Sequence, residues 1–243
     1  MTPEPDPKTA QTRDSVASNT EFFRDSATSY RHHVETLDTY ASIRAKVDEA
    51  LRGTHRLLDI GNGGVFDYDA ASIPSVVAVD LFLHQGARPP AATHVRFLSG
   101  SALSLPVADR AFDGVVINML LHHLVGNTVA ESLANARAAI AEAARVLQPG
   151  GRLVLIESCV PAWFFAFERI AFPPARRMIK WVTTHPVTLQ FTPDMIGEVV
   201  KSSFGRVEVA RSPKGRWVLQ YGVKVPSVFT PAMPYRFVAV KSR

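Results

Sequence analysis

An apolar run that ends in an acid and then breaks into glycines, Leu57-Leu58-Asp59-Ile60-Gly61-Asn62-Gly63-Gly64, constrains the fold of this chain more than any other stretch. Such a run is a strand leading into a tight turn, because glycine takes up positive φ and lets a ligand approach without meeting a Cβ. A second run, Val76-Val77-Ala78-Val79, closes on Asp80, 21 residues after Asp59. An acid about 20 positions past the glycines, at the end of the next strand, is placed to accept hydrogen bonds from a ribose diol. The spacing departs from the dinucleotide pattern G-x-G-x-x-G, since Phe66 stands where its last glycine would be, and so disfavours NAD and FAD.

The rest of the chain supplies the frame for that turn. Apolar, β-branched runs near 55–60, 75–80, 94–98, 112–117 and 152–158 alternate with helical patterns, and two further strands are expected near 206–211 and 235–241. The expected fold is α/β: a Rossmann-like, seven-stranded, mostly parallel sheet with helices on both faces. Leu37, Tyr40, Ile43, Val47 and Leu51 have helical spacing that stops at Gly53. An alanine-rich helix over about Thr128 to Leu147 stops before Pro149-Gly150-Gly151, and a later one has Thr192 as its N-cap, Pro193 at its first position and Gly205 past its end. Between Gly64 and Val76 there is little room for a full helix, and Pro74 excludes helix at Ile73, so a turn or two is expected, with Phe66 or Tyr68 filling the space. Residues 1–20 read as a disordered N-terminal tail and 21–243 as one domain, within which 161–193 is an aromatic lid insertion.

Composition narrows the class. A net charge of +5 and a pI near 9.6 come from scattered basic residues without a lysine- or arginine-rich block, so no nucleic-acid partner is expected. The single cysteine, Cys159, rules out an internal disulfide and suits a reducing cytoplasm; no Cys/His cluster has zinc spacing, and no metal is expected. No apolar stretch is long enough to span a membrane.

Four motifs in order give the chain a family likeness. The D-x-G-x-G turn at Asp59, the Asp80 strand end, "FLSGSALSLPVADRAFDGVVINMLLHHL" from Phe97 to Leu124, and "EAARVLQPGGRLVLIE" from Glu142 to Glu157 together resemble the class I S-adenosylmethionine-dependent methyltransferases, of the methyltransferase type 11 group. The resemblance implies S-adenosylmethionine as cofactor and S-adenosylhomocysteine as product. It also implies that Asp59, Gly61, Asn62, Gly63 and Asp80 hold the cofactor. Leu81, Phe82, Ser101, Ala102 and Leu103 would lie about its adenine, Asn118 and Met119 near its methionine, and Tyr30 would close over it. Two departures stand out: Val65 replaces a small residue, and Ser101 replaces an acid that commonly meets the adenine amine.

Methyl transfer from a sulfonium is an in-line displacement, so alignment matters most and a base helps when the nucleophile starts protonated. His123 is the candidate base, with His122 beside it; both can equally serve to pack their loop. Asp113 reads as structural and Cys159 as a small buried residue. His33, Trp163, Phe167, Arg177 and His185 are candidate acceptor contacts, an aromatic lid with a charged side, although its aromatics can also be core. The expected function is methylation of an O, N or C nucleophile of a small molecule of specialised metabolism. The alternatives are a non-catalytic S-adenosylmethionine-binding module and a nucleic-acid methyltransferase; the oligomeric state is not readable.

Overall fold

A computed structural model describes residues 38–81, 94–170, 188–220 and 223–242. Its main sheet has seven strands in the order β3-β2-β1-β4-β5-β9-β6. These are β1 (Arg56–Ile60), β2 (Ser75–Asp80), β3 (Val95–Ser99), β4 (Phe112–Asn118), β5 (Leu147–Cys159), β6 (Val207–Arg211) and β9 (Met233–Val240). Strands β1 to β5 pair in parallel, while β9 runs antiparallel to both β5 and β6. The chain steps from β1 outward to β2 and β3, then returns to the other side of β1 with β4. That reversal puts the topological switch point at the carboxyl ends of β1 and β4, where open α/β sheets take ligands.

The continuous apolar runs are explained by cover on both faces. Along β1, Leu57 packs with Ile43 and Val47 of helix α1 (Asp38–Ala50), while Leu58 and Ile60 belong to the opposite layer. That layer holds Ala136, Ala139, Ile140 and Ala143 of α2 (Val129–Val146) and Ile196, Val199, Val200 and Phe204 of α3 (Pro193–Phe204). The same alternation runs through β4 and β5: Val116, Val154 and Ile156 face α1, and Val115, Ile117, Leu153 and Leu155 face α2 and α3. Asp59 shares the face of Leu57, which directs its carboxyl into the α1 layer.

Three local details follow from the residues. Asp113 at the start of β4 accepts from the backbone N–H groups of His55 and Arg56 at 2.9 to 3.1 Å and so aligns the entry of β1, a structural role. Helix α2 ends at Val146, and Pro149-Gly150-Gly151 lies within β5, with Gly150 at φ +82° and its N–H donated to the Lys241 carbonyl just past β9 at 2.9 Å. Between Gly64 and β2 the only helical turn is the short 3-10 turn Ala70–Ser72, and Tyr68, 3 % exposed, fills the core there.

A hairpin of β7 (Trp217–Gln220) and β8 (Val223–Pro226) was not anticipated. Its strands are four residues each, preceded by Pro213 and Gly215 and closed by Pro226, too short for an alternation to register. The expected tail at 1–20 and residues 171–187 of the expected lid lie outside the described residues; residues 162–170 are helical. No helix among the described residues is long and apolar enough to cross a membrane.

Thr192 Oγ1 accepts from Met195 N–H at 3.2 Å and caps α3, as anticipated. Thr192→Ala should therefore lower stability by about 1 kcal/mol, seen as a reduced urea midpoint at unchanged slope.

Candidate functional site

The glycine turn is held from beneath by one buried carboxyl. Asp59 is 3 % exposed, and its Oδ2 accepts from Asn62 Nδ2 at 2.5 Å and from the Tyr68 hydroxyl at 2.8 Å. Asn62 then shapes the loop above it, its Nδ2 donating to the Val65 carbonyl at 2.9 Å and its Oδ1 accepting from Gly64 N–H at 2.9 Å. Gly61 has φ +75°, donates its N–H to the Val79 carbonyl at 2.8 Å, and sits so close to Leu120 that an added Cβ would lie 2.7 Å from its methyl carbons. Gly63 has φ +58° and donates its N–H to Asp80 Oδ2 at 2.8 Å. The turn after β1 and the acid ending β2 are thus one hydrogen-bonded unit.

Burial dominates the electrostatics. It pushes the Asp59 carboxyl up from 3.8 to about 7, against the donors of Tyr68 and Asn62, with the nearby Asp67 and Asp80 charges adding to the rise. Asp67 is likewise raised, to about 6, mainly by burial, with the Arg44 charge and the Asn118 amide opposing. Asn118, ending β4, donates its Nδ2 to Asp67 Oδ2. Its Oδ1 is buried and accepts no hydrogen bond among the described residues, a donor-seeking atom beside the glycine turn's own acids.

The remaining walls come from the next strand ends. Gly100 N–H donates to the Asp80 carbonyl at 3.0 Å, which brings the loop after β3 against β2; there Ala102 and Leu103 are buried. Ser101 uses its hydroxyl within this loop, accepting from Leu103 N–H at 3.2 Å. Met119 follows Asn118 with φ +51° and donates its N–H to the Ile156 carbonyl at 2.9 Å.

Past Leu120, Leu121–His123 forms a 3-10 turn against the end of β5. Glu157 is fully buried and takes three contacts: Leu121 N–H at 2.7 Å, Ser158 N–H at 2.8 Å and His122 Nδ1 at 2.5 Å. The contact suits the His122 tautomer with its proton on Nδ1, in which Nε2 is the acceptor nitrogen. The rings of His122 and His123 lie 4.3 Å apart. Both ends of the 161–193 insertion attach here: Leu189 N–H donates to the His122 carbonyl at 3.0 Å, Val160 N–H to the Phe191 carbonyl at 3.0 Å, and Gln190 Nε2 to Ser158 Oγ at 2.7 Å.

Of the residues expected from sequence, Asp59, Gly61, Asn62, Gly63 and Asp80 meet in the glycine unit, and Asn118 reaches it through Asp67. Leu81 is half-buried just past Asp80. Trp163 and Phe167 are 68 % and 64 % exposed on the helical segment 162–170 and are not core. Tyr30, His33, Phe82, Arg177 and His185 lie outside the described residues. Sequence reading missed Asp67, which has no motif around it, and Glu157, although it closes an apolar run as Asp59 and Asp80 do. Cys159 is fully buried, and burial holds its thiol well above its usual range, which leaves it no nucleophilic role. No group of acids, histidines and cysteines that could hold a metal ion occurs among the described residues.

Residues 58–155 match a family model described as a methyltransferase domain. The uncharacterized methyltransferase YcgJ of Bacillus subtilis is 31% identical over 118 residues, 45% of this chain and 43% of that protein. The ubiquinone/menaquinone biosynthesis C-methyltransferase UbiE of Syntrophotalea carbinolica is 35% identical over 121 residues, 46% of this chain and 47% of its own length. The match thus spans less than half of either relative. Among solved structures, the 1,6-didemethyltoxoflavin-N1-methyltransferase of Burkholderia thailandensis, with 1,6-didemethyltoxoflavin and S-adenosylhomocysteine bound, superposes with a TM-score of 0.64 at 19% identity, covering 99% of this chain and 94% of that one. That likeness is one of fold.

The raised Asp59 carboxyl ties stability to pH. The folded ligand-free protein keeps a proton that the unfolded chain releases, so this contribution is fully present below about pH 4 and is lost as pH rises through about 7. Thermal melts across that range should show stability falling with a slope of up to about 1.4 kcal/mol per pH unit, and Asp59→Asn should flatten it, leaving the smaller Asp67 contribution of the same sign.

Proposed function

We propose that this chain, whose residues 58–155 belong to the class I S-adenosylmethionine-dependent methyltransferases, moves the methyl group of S-adenosylmethionine to an oxygen, nitrogen or carbon of a small molecule. The observation that carries this reading is the Gly63 N–H to Asp80 hydrogen bond at 2.8 Å, which joins the glycine turn to the acidic end of β2 at the switch point. In this reading Asp80 accepts the ribose hydroxyls, and Gly61, Asn62 and Gly63 pass the methionine portion close to the backbone. Leu81, Phe82, Ser101, Ala102 and Leu103 surround the adenine. The buried Asn118 Oδ1 and the neighbouring Asp67 suit an ammonium group, with Met119 and Tyr30 alongside.

The charge balance agrees with that assignment. Three carboxyls, Asp59, Asp67 and Asp80, converge on the turn, and burial raises two of them. A ligand carrying an ammonium and a sulfonium offsets that cost, whereas a pyrophosphate would add to it. When bound, S-adenosylmethionine supplies an electrophilic methyl carbon on a good leaving group. The protein's part is alignment and exclusion of water.

The acceptor would enter between the His122 turn and the 161–193 insertion, whose two ends are fixed at β5. Trp163 and Phe167 would form its apolar flank, with Arg177, His185 and His33 as further contacts. For an acceptor that begins protonated, the base in this reading is His122 in preference to His123, because Glu157 leaves its Nε2 free to take a proton. In this reading residues 21–243 form one domain, with the 161–193 insertion as its lid.

Calorimetric titration with S-adenosylmethionine and S-adenosylhomocysteine tests the cofactor assignment; a folded protein that binds neither would sink it. Asp80→Ala should weaken binding by about tenfold to a hundredfold through loss of charged hydrogen bonds. A screen of lipophilic phenols, carboxylates and amines for S-adenosylhomocysteine release then sorts the nucleophile. Binding without turnover would leave a cofactor-binding module. With a protonated acceptor in hand, His122→Gln should lower kcat by roughly a hundredfold to ten-thousandfold, and His123→Gln should not.

A further inference from the structure

The positive charge of this chain is not spread evenly. Past Glu208 there is no Asp or Glu, while seven Lys and Arg follow, Arg211, Lys214, Arg216, Lys224, Arg236, Lys241 and Arg243; the first 208 residues hold 20 basic against 22 acidic side chains. The basic character of the whole protein therefore resides in its last 35 residues. Three of the seven serve the fold: Arg236 pairs with Glu208 at 3.2 Å, Lys241 Nζ donates to the carbonyls of Ala144 and Leu147 at 2.6 and 2.7 Å, and Lys214 Nζ donates to the Thr230 carbonyl. Arg211, Lys214, Arg216 and Lys224 take part in none of the ion pairs formed among the described residues. Three of these are exposed, Arg216 and Lys224 at the β7–β8 hairpin and Arg211 at the end of β6, which leads to it. Burial chiefly, with the neighbouring Arg211 charge adding to it, holds the Lys214 ammonium below its ordinary range.

An apolar tip stands at the same place. Directly after β8, the 3-10 turn Ser227–Phe229 carries Val228 and Phe229, 82 % and 81 % exposed, the two most exposed large apolar side chains among the described residues. The tip is braced, because Ser227 N–H donates to the Arg216 carbonyl at 2.9 Å, Lys214 Nζ donates to the Thr230 carbonyl, and Pro226 and Pro231 flank the turn. Beside it Trp217 is 42 % exposed, with Lys224 Nζ 5.5 Å from its ring centroid. Two adjacent apolar side chains thrust into water cost free energy unless something covers them.

We propose that the β7–β8 hairpin and its Val228-Phe229 tip dock on an anionic lipid bilayer, the apolar pair entering the acyl boundary while the exposed Arg211, Arg216 and Lys224 lie at the headgroups. The charge pattern asks for an anionic partner, and the tip asks for a hydrocarbon one; an acidic lipid surface offers both within a few ångströms. Bases of a nucleic acid would stack on Phe229 or Trp217 but leave the aliphatic Val228 uncovered, which favours hydrocarbon. The ring of Trp217 with a cation over it suits the interface between the two media. This surface docking is independent of the methyltransferase reading and requires no membrane-spanning helix.

The test is co-sedimentation of the full chain with vesicles of equal parts phosphatidylcholine and phosphatidylglycerol, with phosphatidylcholine vesicles alone as reference. Binding to the anionic vesicles and not to the neutral ones is expected, weakening as salt rises. Val228→Ser with Phe229→Ser should lower partitioning by on the order of tenfold or more, and Arg216→Gln with Lys224→Gln by roughly twenty-five-fold, each cation contributing about fivefold. These side chains are exposed, so circular dichroism should show both double variants folded. No binding to anionic vesicles would overturn the proposal. So would binding that is indifferent to the Val228 and Phe229 changes, or salt-sensitive binding to RNA or DNA in its place.

Discussion

The buried carboxyl of Asp59 is the interaction on which the rest of the site depends. It ends the apolar run of a central strand facing the α1 layer, where an unsatisfied carboxylate would be costly. Asn62 and Tyr68 satisfy it, and in doing so they determine the path of the chain. Because Asn62 spends its amide on Asp59 and Val65 and its carbonyl on Gly64, the turn closes with Gly63 N–H aimed at Asp80. The abbreviated helix after the turn belongs to the same arrangement: Tyr68 occupies the core and delivers its hydroxyl to Asp59.

Parallel strands deliver their last residues to one edge, and here that rule concentrates polar groups. Asp59 and Asn118 lie at or near the ends of β1 and β4, Asp80 closes β2, and Glu157 stands near the end of β5. The first three surround the glycine turn, whereas Glu157 stands behind His122 and Leu121. One edge of the sheet therefore offers an acid-lined cradle and, next to it, a histidine oriented by a carboxylate. The antiparallel strand β9, paired along β5 and bonded to its Gly150, holds β5, and hence Glu157, in register.

That acid-lined edge contrasts with the carboxyl-terminal region, where acids are absent beyond Glu208. A chain of modest net charge can thus present two different electrostatic surfaces. Composition averages over them, which is why a basic pI alone pointed to scattered charge and not to one hairpin.

Much of the frame was legible in the residues themselves. Runs such as Val76 to Asp80, the Thr192-Pro193 start and Gly205 stop of α3, and the short span from Gly64 to Val76 each obey local rules of backbone sterics and capping, so strands, helix ends and the clipped helix could be read directly. Asp59, Gly61, Gly63 and Asp80 could be singled out for the same reason, as acids and glycines at strand ends. What tertiary structure alone decided were the pairings across distance: Asp67 with Asn118, 51 positions apart, and Glu157 with His122, 35 apart, depend on which strands neighbour one another. The β7–β8 hairpin is of the same kind, since four-residue strands carry too little pattern to announce themselves and are held by their partner. Local sequence determines conformation and chemical type, but the partner of a buried charge is chosen by packing.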